Sequence, residues 1–204
     1  MPIKIKVPFS QKQEAKALGA IWIAEEKTWV IPKYIEEINS FKPWLPPGGG
    51  TFVKFPYLVV KSKRTCWKCH KDTPLIGLGA KEYITSAFNS PKDVVWEKYP
   101  EPVLFVDITF IDSELVPVLK TQFPFFQLTY SKTLNKNVWV NTCIHCQTIQ
   151  PDKYNLENDF VFGGSMGTLF KGKKTELLKL RFDYHIDSAL YEGIYYYNGY
   201  EDDD

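Results

Sequence analysis

The sequence contains few of the residues on which most exported proteins and many enzymes depend. Among 204 residues there are only 4 cysteines and 3 histidines. No stretch approaches the roughly 18 to 20 uninterrupted apolar residues that span a bilayer. Residues 1–7 alternate apolar residues with lysines, which is not the pattern of a secretory signal. We therefore expect a cytoplasmic protein with no membrane partner, in which the cysteines stay reduced and are available for metal.

The scarcity of histidine also argues against nucleophilic catalysis. His70 and His145 each adjoin a cysteine, and no Ser/His/Asp or Cys/His set emerges around them. His185 alternates with Asp183 and Asp187, so on a strand the three polar groups would share one face and form a conceivable acid–base or metal site. A solvated outer face explains this alternation equally well. We expect neither an enzyme nor a small-molecule substrate.

Two further carboxylates are candidates for paired catalytic groups. Asp107 and Asp112 lie in or beside a predicted apolar strand. A strand edge and a helix cap are the commoner roles for aspartates in such positions. The sequence leaves both interpretations open.

The composition favours a folded chain with short elements. Hydrophobic residues make up 44% and aromatic residues 16%, which is enough for a packed core, and 14 prolines disfavour long helices. The net charge of +1 is unevenly distributed, because residues 1–75 carry +7 and residues 76–204 carry −6. The front part is a candidate for contact with a polyanion, and the rear part would repel one.

The four cysteines form two C-x2-C pairs, Cys66/Cys69 and Cys143/Cys146. Such a turn lets both sulfurs face one ion, and two turns complete a tetrahedral shell for a structural Zn²⁺. The 73 residues between Cys69 and Cys143 far exceed the usual spacing of about 15 to 20, but a folded insertion costs little entropy. An iron–sulfur or redox site, inert thiols, and replacement of one cysteine by His70 or His145 remain alternatives.

The periodicity predicts an α+β fold in two parts. Residues 1–45 read as a small β-α-β-β-α unit, with a first helix that ends at Gly19 and a second helix over residues 33–41. Residues 46–50, Pro-Pro-Gly-Gly-Gly, read as a linker. Residues 51–204 are predicted to form a strand-rich, zinc-ribbon α+β domain with a long insertion between the cysteine pairs.

Within this second part, local signals predict particular elements. Residues 52–60 read as one apolar strand, and Val103–Ile111 reads as a buried strand. Ser90 followed by Pro91 predicts the start of a helix. Residues 123–130 and 137–141 read as two strands that lead into the second cysteine pair, and residues 177–197 as a closing strand or hairpin.

Two segments resemble known families. Val7-Pro-Phe-Ser-Gln-Lys-Gln-Glu-Ala-Lys-Ala-Leu-Gly-Ala-Ile-Trp22 and Lys27-Thr-Trp-Val-Ile-Pro32 resemble a small bacterial domain of unknown function. The resemblance implies association with DNA-processing proteins, in which that domain is found. Thr65-Cys-Trp-Lys-Cys-His-Lys-Asp-Thr-Pro74, with Tyr130-Ser-Lys-Thr133 and Asn141-Thr-Cys-Ile-His-Cys146, looks like uncharacterised bacterial zinc-ribbon proteins, which implies zinc binding and no particular reaction.

Two kinds of partner follow from these patterns. Lysines and tryptophans of the first unit are candidates to contact nucleic acid by charge and stacking: Lys4, Lys6, Lys12, Lys16, Trp22, Lys27 and Trp29. The tryptophans, together with Trp44, also suit the core of a tiny domain. The acidic, aromatic end of the chain suits instead the capture of a basic protein, as in an inhibitor or immunity protein: Tyr197, Tyr200, Glu201, Asp202, Asp203 and Asp204.

Overall fold

The chain folds into antiparallel sheets with little helix. A computed structural model describes residues 2–33, 35–47, 49–54, 57–90, 93–100, 103–152, 175–178 and 184–191, the last two as backbone. The strands are β1 Ile3–Ile5, β2 Ile21–Ile23, β3 Thr28–Ile31, β4 Thr51–Val53, β5 Tyr57–Thr65, β6 Asp72–Ala80, β7 Tyr83–Ser90, β8 Asp93–Tyr99, β9 Val103–Ile111, β10 Phe126–Ser131, β11 Lys136–Thr142, β12 Ile149–Gln150, β13 Thr175–Leu178 and β14 Tyr184–Tyr191. The helices are 3-10 helices at Phe9–Gln11 and Ile38–Trp44, and α-helices α1 Lys12–Ala17 and α2 Leu115–Gln122.

These strands form three sheets. The N-terminal sheet has the order β1-β3-β2, and a second three-stranded sheet has the order β10-β11-β12. The large sheet has eight strands in the order β13-β5-β6-β9-β14-β4-β7-β8. Every pairing among the described strands is antiparallel.

The small sheet β10-β11-β12 packs on the large sheet through a shared core. Phe126 and Trp139 of the small sheet stack with ring centroids 5.9 Å apart. They belong to one buried cluster with Leu115 and Leu119 of α2 and Phe105 of β9. This packing brings the ends of β5 and β11, from which the cysteine pairs extend, to the same region of the molecule.

The predicted α+β class is wrong, since strands dominate and both α-helices are short. The first helix does end as expected, because Gly19 adopts a φ of 95° and donates its N–H to the carbonyl of Lys16 over 2.9 Å. The predicted second helix over residues 33–41 is replaced by the 3-10 helix Ile38–Trp44. Pro43 lies inside that helix and has no N–H to donate, which limits regular α-helical bonding there.

Two predictions in the large sheet are also wrong. Instead of a helix starting at Ser90 and Pro91, the chain forms the hairpin of β7 and β8, with Ser90 paired to Asp93. Instead of one strand over residues 52–60, β4 and β5 are separate strands that lie apart in the sheet. In both places, pairing with distant strands decides the conformation against the local signal. The strand Val103–Ile111 is confirmed.

The N-terminal unit packs against the edge of the large sheet. Its core residues Phe41 and Trp44 share a buried cluster with Phe52 of β4 and Trp96 of β8. The side chain of Asn39 accepts a hydrogen bond from the N–H of Trp96 over 2.8 Å and donates one to its carbonyl over 3.0 Å. The division into 1–45, 46–50 and 51–204 stays a prediction. Among the described residues, no helix is long and apolar enough to cross a membrane.

Candidate metal centre

Each cysteine pair lies in a tight loop between two antiparallel strands. We call residues 66–71, between β5 and β6, the first knuckle, and residues 143–148, between β11 and β12, the second knuckle. Thr65 pairs with Asp72 across the base of the first, and Thr142 with Ile149 across the base of the second. The two loops therefore have the same length and the same setting.

The structure brings the four cysteines together. The four Sγ atoms all lie within 4.8 Å of one another. No histidine, aspartate or glutamate of the described residues joins the group. Across the knuckles, Cys66 Sγ lies 3.7 Å from Cys146 Sγ, and Cys69 Sγ lies 3.6 Å from Cys143 Sγ. A tetrahedral shell with Zn–S bonds of about 2.3 Å requires sulfurs about 3.8 Å apart. The donor set fits a four-coordinate zinc ion, and a disulfide, at about 2.05 Å, is absent among the four thiols.

Backbone N–H groups point at all four sulfurs in the same way. Lys68 and Lys71 donate to the sulfurs of Cys66 and Cys69. In the second knuckle the N–H of His145 donates to Cys143 Sγ over 3.4 Å, and that of Thr148 to Cys146. Each of these donors lies two residues after its cysteine, and the N–H of Cys69, three residues after Cys66, donates to Cys66 as well. This arrangement stabilises thiolates before any ion is bound.

The pKa values of the thiols diverge accordingly. Burial raises the pKa of Cys66, but N–H groups of Cys69 and Lys68 and the adjacent thiols outweigh burial and lower it to about 6. The hydroxyl and N–H of Thr148 hold the pKa of Cys146 below its usual value. The N–H of Lys71 lowers the pKa of Cys69, but burial and the three other sulfurs raise it to about 11. Without an opposing cation, a four-thiolate cluster therefore retains protons.

The turn in each knuckle contains a residue with a left-handed backbone conformation. His70 has a φ of 57° and Gln147 a φ of 58°, and each directly follows the second cysteine of its pair. The N–H of His70 donates to the carbonyl of Cys66, and that of Gln147 to the carbonyl of Cys143, over 3.0 Å and 2.9 Å. Glycine adopts such a φ without strain, whereas a residue with a side chain does not. The backbone of both knuckles is therefore strained at this position.

Polar contacts hold the two knuckles against each other. Trp67 Nε1 of the first knuckle donates to the carbonyl of Ile149 over 3.0 Å. Conversely, the N–H of Ile144 donates to Thr73 Oγ1 over 3.2 Å, and His145 Nε2 lies 3.0 Å from the carbonyl oxygen of Asp72. Each knuckle thus contacts the strand that follows the other knuckle. Neither His70 nor His145 belongs to the sulfur cluster.

Two buried side chains near the cysteines were not singled out from the sequence. Asn141, at the end of β11, accepts from the N–H of Ile76 and donates to its carbonyl, both over 2.8 Å. Gln150 Nε2 donates to Cys66 Sγ over 3.4 Å. The only sequence signal was a polar residue close to a cysteine in an otherwise apolar strand, which does not indicate its partner.

The predicted nucleic-acid residues of the N-terminal unit have different environments. Trp29 is buried, and Trp22 is 45% exposed with its ring tilted against Trp29 at a centroid distance of 5.5 Å. Lys12 Nζ lies 3.8 Å from the ring centroid of Phe9, a side chain that is 82% exposed. Lys4 forms an ion pair with Glu114, whereas three other lysines are exposed: Lys6, Lys16 and Lys27.

The candidate carboxylates separate into different settings. Asp112 accepts from the N–H of Glu114 over 3.0 Å in the turn just before α2. Asp107, with a φ of 49°, lies where β9 has three residues opposite one residue of β14, and its N–H donates to Asp152 Oδ2 over 3.3 Å. The pKa of Asp152 is raised to about 7, chiefly by burial. The N–H of Asp107 partly offsets this increase, and the carboxylate of Asp107 adds to it.

The remaining predicted residues lie wholly or partly outside the described part of the chain. Asp183 is not among the described residues, and for His185 and Asp187 only the backbone of β14 is described. The acidic, aromatic end also lies outside the described residues: Tyr197, Tyr200, Glu201, Asp202, Asp203 and Asp204. Their roles stay predictions.

Comparison with known proteins adds one finding. Residues 3–46 match the family model described as a domain of unknown function, DUF5710. This confirms the resemblance of the N-terminal segment to a small domain of unknown function, and the match names neither a partner nor a reaction. No curated protein and no solved structure matches the chain significantly. The resemblance of the remainder to zinc-ribbon proteins stays a prediction.

Proposed function

We propose that this chain is a non-enzymatic binding protein that is stabilised by one structural zinc ion and associates with nucleic acid. The observation that carries the zinc part is the convergence of four sulfurs at separations that match a tetrahedral zinc shell. An all-sulfur set favours zinc over hard cations such as Mg²⁺ or Ca²⁺. Because all four positions are protein sulfurs, the shell leaves no place for a catalytic water.

The nucleic-acid part is supported by exposed aromatic side chains beside lysines in the N-terminal unit. Phe9 is 82% exposed with the ammonium of Lys12 against its ring, and Trp22 presents nearly half of its surface to solvent. Exposed rings can stack on bases, and lysines can neutralise phosphates. Buried Trp29 and Trp44 act as core residues.

The zinc part is tested by metal analysis of protein purified without chelators. We expect one zinc per wild-type chain and much less in Cys69→Ser and Cys143→Ser, because each substitution opens the shell. His70→Gly is the matched control, since it removes the adjacent imidazole and suits the left-handed φ of 57°. Wild-type protein without zinc, or loss of zinc from His70→Gly alone, would contradict the four-cysteine shell.

The nucleic-acid part is tested by anisotropy of labelled oligonucleotides at low salt. Stacking contributes about 1–3 kcal/mol per base, so Phe9→Ala and Trp22→Ala are each expected to weaken binding by roughly 5- to 150-fold. Leu128→Ala is the control, because Leu128 on β10 is as exposed as Trp22 but has no ring. Absence of binding to single-stranded DNA, duplex DNA and RNA at low salt would remove this part of the proposal.

A further inference from the structure

Positive charge is denser in the segment that carries the first knuckle than in the N-terminal unit. Residues 1–45 carry seven basic and five acidic residues, a net charge of +2. Residues 57–80, which include the first knuckle, carry five basic residues and one aspartate, a net charge of +4. Residues 115–151, which include the second knuckle, carry three lysines and no acidic residue. The segment around the first knuckle is therefore more basic, for its length, than the N-terminal unit.

A zinc–thiolate shell accounts for only part of this charge. One Zn²⁺ with four thiolates carries a net charge of −2, and nearby lysines help to balance it. The first segment alone carries +4, so it keeps a net charge of +2 after that balance.

The lysines of the first segment follow one strand and the loop at its end. Lys61 and Lys63 are exposed and two residues apart on β5, so their side chains share a face about 7 Å apart along the strand. Lys68 and Lys71 are exposed in the first knuckle, directly beyond the end of β5. We call these four residues the basic stripe. Asp72 is the one acidic residue of the segment, and Thr65 Oγ1 donates to its carboxylate over 3.1 Å.

An exposed ring completes the stripe. Trp67 lies between Cys66 and Lys68 and is 56% exposed, and its indole N–H is fixed to the carbonyl of Ile149 over 3.0 Å. The ring is therefore anchored to β12, the strand that follows the second knuckle, with lysines on either side of it in the chain. A rigid aromatic surface among cations suits bases attached to a phosphate backbone.

We propose that the basic stripe, with Trp67, is the surface that contacts the phosphate backbone of a single-stranded nucleic acid. This inference rests on the proposed association with nucleic acid and moves its main electrostatic contact from the N-terminal unit to the first knuckle. Zinc would then act in binding indirectly, because the ion fixes the loop that carries Lys68, Lys71 and Trp67.

The test compares two triple variants of the full chain with equal change in charge. Lys61→Ser/Lys63→Ser/Lys68→Ser removes three charges from the stripe, and Lys12→Ser/Lys16→Ser/Lys27→Ser removes three from the N-terminal unit. Binding to labelled oligo(dT) is measured over a range of salt, and zinc content is measured in parallel to verify the fold. We expect the stripe variant to lose about 2 from the slope of log K against log salt, since each single-strand contact contributes about 0.7.

The outcomes separate this inference from the proposed function. A reduced slope in the stripe variant alone, with zinc retained, supports the stripe. A reduced slope in the N-terminal variant alone, or equal losses in both, overturns the stripe but leaves nucleic-acid association intact. No binding by the wild type overturns both. Polyglutamate that competes as well as oligo(dT) at equal charge would overturn nucleic acid as the partner of the stripe.

Discussion

Replacing Asn141 by alanine should be among the most damaging single changes outside the cysteines. Strand β6 pairs with β9 only from Leu78 to Ala80. Beyond that point, the side chain of Asn141 takes up both the N–H and the carbonyl of Ile76, each over 2.8 Å. A side chain of the small sheet thus substitutes for the strand that β6 lacks at this edge.

The magnitude follows from what the substitution leaves behind. Asn141 and Ile76 are both buried, so Asn141→Ala leaves one N–H and one carbonyl in the interior without a partner. Each such group costs about 1–3 kcal/mol, which gives a decrease of about 2–6 kcal/mol in the free energy of unfolding. This is a large fraction of the total for a domain, about 5–15 kcal/mol. Because Asn141 lies two residues before Cys143, zinc affinity should fall as well.

Urea unfolding at saturating zinc measures the global effect, and amide hydrogen exchange at Ile76 measures the local one. Asn137→Ala is the matched control, since Asn137 lies on the same strand and is exposed. We expect the control to change stability by less than about 0.5 kcal/mol. If Asn141→Ala is as stable as Asn137→Ala and the Ile76 amide is equally protected in both, the bridging role assigned to Asn141 is wrong.

Three further predictions concern the knuckles and Asp152. Gln147→Gly should stabilise the zinc-loaded protein by about 1 kcal/mol in urea unfolding, because glycine adopts the left-handed φ of 58° without strain. Gln147→Ala should give no gain in stability, and equal effects of the two substitutions would contradict this prediction. Acidification should release zinc to a colorimetric chelator, because protons compete with the ion for the four thiolates; full retention at pH 3 would contradict thiolate ligation. Burial raises the pKa of Asp152 to about 7. Between about pH 4 and 7 the folded state therefore binds more protons at this group than the unfolded state does. The stability that this group contributes falls as pH rises through that window. Asp152→Asn should therefore be more stable relative to wild type at pH 8 than at pH 5, and a pH-independent difference would refute the shift.

The fold could be predicted from the sequence only where local patterns and long-range pairing agree. Val103–Ile111 is apolar enough to form a strand in almost any context, and Gly19 marks the end of α1 by its conformational freedom. The helix expected at Ser90 failed because β7 and β8 pair across that turn. Helix α2 was missed because it is only eight residues long and contains Pro117, which is tolerated in its first turn.

The candidate site divides in the same way. The four cysteines could be identified because the C-x2-C spacing is itself the geometric requirement for two ligands of one ion. The contacts of Asn141 with Ile76 and of Trp67 with Ile149 could not be identified, because the partners are 65 and 82 residues apart in the chain. Nothing in the sequence near either residue specifies which distant backbone group it meets.

The long chain path between the knuckles has a consequence for how the protein is made. Cys69 and Cys143 are 74 positions apart, and translation adds about 5–20 residues per second. For roughly 4 to 15 seconds a nascent chain carries only half of its ligand set, and two thiols hold an ion far less tightly than four. Capture of an ion by the full ligand set must therefore wait until Cys143 and Cys146 have been made, by which time strands β1 to β11 have already been synthesised and can begin to pair.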